Sequence, residues 1–173
     1  MNTLQSALGH YDSMGNPTDA DCIVGHSFGT MVGEDSVNRL LATTMLHYAD
    51  GRSMIADRML ADAFPENSEP LAKVVEGPIS DIKGGGLGTW GALLIIKDYL
   101  NQEGLERPLM VAHKHHIGRV VRQAAKLGIA SIVPNDLPGQ FDRKSKQLWT
   151  KSVLPWVLMD VVNSAKLRRQ GRL

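Results

Sequence analysis

The sequence predicts an α/β fold in three layers, with a mostly parallel sheet of about five strands between helices. Three observations lead there. Short apolar runs at 21–25, 53–56, 73–76, 108–113 and 130–133 read as strands. Helical patterns fall between most of them, and that alternation implies parallel strands joined by helical crossovers. The 173 residues, 43% hydrophobic and 21% charged, suit one globular domain.

The elements follow in order. Residues 1–20 are polar and turn-rich and read as a lead-in to a single domain over 21–173. The run at 21–25 is the first strand, with Cys22 as a small core residue. Over 35–48, Val37, Leu40, Leu41, Thr44 and Met45 share one helical face. A strand at 53–56 leads to a short helix over 58–64, which Pro65 stops. After the strand at 73–76 comes a glycine-rich loop over 83–88 and then a strong helix over 89–102. The run at 108–113 is the clearest strand, followed by a helix over 116–127. A last strand at 130–133 ends at Pro134. Irregular chain then precedes a closing helix over 155–169.

Bulk properties exclude several classes. A formal charge of +1 offers no footprint for general nucleic-acid binding. Aromatics at 5% are too few for a base-stacking platform. One cysteine forms no intramolecular disulfide and fits a reducing compartment. The first twenty residues lack the charged and apolar regions of a signal peptide. The longest apolar run, at 92–96, is far short of the ~20 residues that span a bilayer. The expectation is a cytoplasmic protein with no stable membrane insertion.

Three motifs carry candidate chemistry. Gly25-His26-Ser27-Phe28-Gly29 is a literal G-x-S-x-G behind an apolar run, as in a hydrolase nucleophile elbow. Two glycines after the serine oppose an immediate helix, and too few strands precede it. The favoured reading is a first βα loop from which His26, Ser27 and Gly29 touch a ligand, with a Ser27 hydrolase as the alternative. Gly86-Leu87-Gly88-Thr89-Trp90-Gly91 opens the central helix. As a dinucleotide fingerprint it is weak, because no strand runs into it and no acid ends the next one. Glycines before a helix N-terminus still offer free N–H groups and a positive dipole end. Gly86, Gly88 and Thr89, the last as N-cap, are therefore anion-binding candidates. Finally, "VAHKHHIGR" at 111–119 places His113, His115, His116 and Arg119 at the carboxyl edge. A zinc site lacks an evident third ligand, so a site without metal is favoured. His116 is the candidate acid/base, and Arg119, one turn along the helix, an anion clamp. At least one of these histidines only caps the helix or stays solvated. The charged stretch 141–150 reads as a solvated loop anchored by Phe141 and Trp149, with a lid as the alternative. The basic residues ending the last helix suit its dipole.

The order of these motifs resembles the YdcF-like family, which includes the SanA and ElyC proteins. An Asp-hydrophobic-Gly strand is matched at 21–25, a helical arginine by Arg39 and a helix-opening threonine by Thr89. An apolar strand running into H-x-x-R is matched by His116 and Arg119, and an acid in the last helix by Asp160. Ala112-His113 stand where that family usually has Thr-Ser. The resemblance implies a compact Rossmann-like domain that binds small, nucleotide-like ligands. The expected function is binding of an anionic, phosphate-bearing or nucleotide-like small molecule at the carboxyl edge of the sheet. Arg39 and Arg119 would pair with its charge, and His113 would also bind it. A regulatory domain that binds a partner through the basic last helix is a further alternative.

Overall fold

The computed structural model describes residues 3–31, 33–77 and 88–173. Its centre is a four-stranded, all-parallel sheet in the order β3-β2-β1-β4. The strands are β1 (Cys22–Gly25), β2 (Ser53–Asp57), β3 (Lys73–Val75) and β4 (Pro108–Val111). Every residue of β1 and β4 is buried, as expected for parallel strands covered on both faces. The helices are α1 (Thr3–Ala7), α2 (Val37–Ala49), α3 (Arg58–Ala61), α4 (Gly88–Glu103), α5 (Ile117–Lys126) and α6 (Val153–Arg169).

The sheet has four strands rather than five. The run at 130–133 contributes only two isolated bridges, Leu109 with Ile132 and Met14 with Val133. Ile132 exchanges hydrogen bonds with Pro108 and Met110, at 2.9 and 2.8 Å. Val133 pairs with Met14 from the lead-in instead of extending that ladder. Pro134, without an N–H, cannot carry the pairing further.

The lead-in folds onto the domain. Ala7 is fully buried, and α1 packs against α5 and α6. His115 Nδ1 donates to the Ala7 carbonyl at 2.9 Å, and the Tyr11 hydroxyl accepts from Leu137 N at 3.0 Å.

Strand order decides where a ligand can enter. From β1 the chain moves to β2 on one side, and it later returns to place β4 on the other. The loops after β1 and β4 therefore diverge, leaving a crevice at the carboxyl ends of the strands.

Candidate functional site

A cleft of about 330 Å³ occupies that crevice. Its walls come from the loop after β1, the end of β2, the first turn of α4, the start of α5, the 147–150 turn and α6.

The loop after β1 is held by backbone bonds to buried side chains. His26 N donates to Val111 O at 2.9 Å and so prolongs the β1–β4 contact. Ser27 N donates to Asp57 Oδ2 at 2.7 Å, while Asp57 Oδ1 caps α3 through Leu60 N at 3.0 Å. Burial raises the Asp57 carboxyl, and the hydrogen bonds from Ser27 and Leu60 oppose that rise. Phe28 N donates to Asn38 Oδ1 at 2.7 Å, and Asn38 Nδ2 returns to Met31 O at 2.8 Å. Gly29 adopts φ +79°, and a Cβ there would lie 3.1 Å from Thr150 Oγ1. The glycine thus lets the loop close against the 147–150 turn.

This geometry is not that of a nucleophile elbow. An elbow starts a helix at its serine. Here β1 ends at Gly25 and α2 begins at Val37, capped by Ser36 and by Asp142 from the distant loop.

Of the residues singled out in the sequence, His26, Ser27, Gly29, Gly88, Thr89, His116 and Arg119 line the cleft. His26 is buried, and desolvation lowers its imidazole to about 4. Its Nε2 and Gln123 Oε1 are buried with no hydrogen-bond partner among the described residues. Such atoms call for a ligand or water. Gly88 has φ +50° and is the first residue of α4. Thr89 is accordingly inside the first turn, not the cap, and its hydroxyl lies 3.4 Å from His116 Nε2.

His116 and Arg119 form one unit. The Arg119 Nη2 group stands 3.1 Å from His116 Nδ1. Arginine can only donate, so Nδ1 accepts and the imidazole proton sits on Nε2, facing Thr89. Burial, then the Arg119 charge, hold His116 well below the usual imidazole range. Arg119 Nη1 pairs with Asp160 Oδ1 at 2.8 Å, and its guanidinium lies 5.4 Å from the Trp156 ring centre. Asp160 is buried; desolvation raises its carboxyl, and Arg119 and Arg122 oppose the rise.

Two expected site residues are placed elsewhere. Arg39 donates to Ala63 O at 3.1 Å and holds the turn after α3, outside the cleft. His113 is in the aromatic core, stacked on Phe28 at 3.7 Å and 13°. Its Nε2 donates to Gln140 O at 2.9 Å, and its Nδ1 accepts from His115 N at 3.3 Å. With both nitrogens engaged and burial lowering it to about 3, His113 builds the wall behind the loop. Gly86 lies outside the described residues.

Asp57, Lys166, Gln170 and Arg172 line the cleft without being binding candidates in the sequence, whereas Trp149 was one under the lid alternative. Asp57 follows the apolar run Met54-Ile55-Ala56, so its position at a strand's carboxyl end was readable. Lys166, Gln170 and Arg172 come from the end of α6 and the residues beyond it, and no local signal places them here. Trp149 also lines the cleft, while Phe141 packs on Phe28 and His113. The stretch 141–150 is thus anchored by its aromatics and also contributes to the wall.

Among the described residues, four cationic side chains, Arg58, Arg119, Lys166 and Arg172, line the cleft against one acid, Asp57. Arg58 is partly neutralised by Glu76 and Asp62, and Arg119 by Asp160. Among the described residues, no three His, Cys, Asp or Glu side chains are grouped to hold a metal ion. Comparison with known proteins yields no match among family models, curated proteins or solved structures.

Proposed function

We propose that this cleft binds an anionic small molecule, phosphate-bearing or nucleotide-like. The observation that carries the reading is the excess of cations in its described walls, where Lys166 and Arg172 stand beside the ion-paired Arg58 and Arg119 against the buried Asp57 carboxyl. The first turn of α4 opens on the same space through Gly88 and Thr89, adding the positive end of a sixteen-residue helix. The volume lies at the lower end of the range for small-molecule sites. Trp149 offers a flat apolar surface in the same wall. The motif order resembling the YdcF-like family points the same way.

In this reading His116 is a neutral hydrogen-bond donor through Nε2–H, not an acid or base, because Arg119 occupies Nδ1 and suppresses its charge. Arg119 is pre-oriented by Asp160 and Trp156, which lowers the entropy lost on binding.

The test is a thermal-shift screen with inorganic phosphate, sugar phosphates and nucleotides. A ligand at a hundredfold excess over its Kd adds ~2.7 kcal/mol to native stability. One phosphate class should raise Tm, and Lys166→Ala and Arg119→Ala should each reduce the rise. A flat screen, or a rise that both variants retain in full, would sink the proposal.

A further inference from the structure

Helix α6 exposes large apolar side chains on the face turned away from the core. Asp160 and Ser164 are buried beneath it with Trp156 and Leu167. Its outward face carries Leu154, Leu158, Val161 and Val162, of which Leu154 is 70%, Leu158 63% and Val162 65% exposed. At 3.6 residues per turn, positions 154, 158, 161, 162 and 165 fall within an arc of about 100°. α1, packed on α6, exposes Leu4, and Leu8 just after it is exposed as well. An apolar stripe of this kind marks an interaction surface.

The charge distribution says what covers it. Residues 143–173 hold eight Lys and Arg against one acid, Asp160. The +1 of the whole chain thus divides into +7 there and −6 elsewhere. Asp160 is buried against Arg119, so α6 presents no carboxylate outward. The exposed Arg168 and Arg169 continue the apolar arc by one turn. A second copy of the chain is a poor occupant. In a parallel pair these arginines would face each other. In an antiparallel pair they would face the end that carries Lys151. An anionic bilayer surface meets both needs, accepting apolar side chains at the acyl boundary and cations at the headgroups.

We propose that the outward face of α6 docks this protein on anionic membrane surfaces, with the Leu154–Val162 stripe at the acyl boundary and Arg168 and Arg169 among the headgroups. The docking is peripheral, because no helix among the described residues is long and apolar enough to cross a membrane. The proposal stands apart from the cleft and does not depend on its ligand.

The experiment is flotation of the full chain with phosphatidylcholine vesicles, with and without phosphatidylserine, at low and high salt. The protein should float only with phosphatidylserine-containing vesicles, and less at high salt. Leu158→Gln/Val162→Gln should abolish flotation with Tm unchanged, since both side chains are exposed. Arg168→Gln/Arg169→Gln should weaken it by about fivefold per arginine. No flotation, equal flotation on neutral vesicles, or flotation untouched by both double variants would overturn the proposal. So would a dimer in sedimentation velocity that Leu158→Gln/Val162→Gln dissociates, since the stripe would then be a self-interface.

Discussion

Arg119 donates to His116 Nδ1 at 3.1 Å while it pairs with the buried Asp160 carboxylate at 2.8 Å. One guanidinium thereby sets the imidazole's tautomer and ties α5 to α6. Removing Asp160 leaves a buried cation without its counter-charge, the costly way to break such a pair. Asp160→Ala should lose about 3–5 kcal/mol in urea denaturation. Asp160→Asn, which keeps the shape, should lose less. Equal stability of wild type and Asp160→Ala would show that the pair carries no weight.

Asp57 has a double duty at the carboxyl end of β2. It caps α3 and fastens the Ser27 amide, so Asp57→Ala removes a cap and strands a donor. The expected loss is about 2–4 kcal/mol. Asp57→Asn retains one acceptor oxygen and should fall between the two. Chemical denaturation of the three proteins gives the ranking, and an unchanged midpoint for Asp57→Ala would refute it.

The end of β1 is packed too closely for a side chain. A Cβ on Gly25 would run into the Met45 and Leu60 side chains. Gly25→Ala should destabilise by about 1–3 kcal/mol through overpacking, although alanine suits a strand as well as glycine does. A thermal melt at or above the wild-type Tm would contradict the close contact.

The buried histidines predict a loss of stability in mild acid. Burial lowers His26 to about 4 and His113 to about 3 from an ordinary 6.5. Between these values and 6.5 the unfolded chain binds protons that the folded chain refuses. Their contribution is complete above pH 6.5 and falls as pH drops through that window, by about 1.4 kcal/mol per histidine per pH unit. Asp57, Asp142 and Asp160, raised by burial, act in the opposite sense nearer the carboxylate range. Denaturation midpoints should therefore decline from pH 7 to pH 5. His113→Phe, which preserves the stack on Phe28, should flatten the slope. A profile level over that interval in the wild type would rule this out.

Much of the scaffold was legible before folding. Runs such as Cys22-Ile23-Val24 and Leu109-Met110-Val111 are apolar on both strand faces, and only a covered parallel sheet buries both. The positions of His26, Ser27, Thr89, His116 and Arg119 at one edge were legible from the order of elements. Each follows a strand or opens a helix, and the carboxyl edge collects such positions. The fifth strand failed because only Ile132 and Val133 form bridges, each to a different partner, before Pro134 ends the run.

The sequence by itself determined the four strands of the sheet and the long helices, since periodic burial is written in neighbouring residues; it did not show α1, nor that the run at 130–133 would form only bridges. Tertiary structure alone decided which polar groups meet. Arg39 found a carbonyl at Ala63, His113 found Phe28 and Gln140, and Lys166 reached the cleft from the far end of the chain. A donor removed from water must be satisfied by whatever the fold brings within hydrogen-bond reach, and that partner lies 24 to 27 residues away for Arg39 and for the His113 Nε2 contact. Local pattern carries no record of approaches at that range.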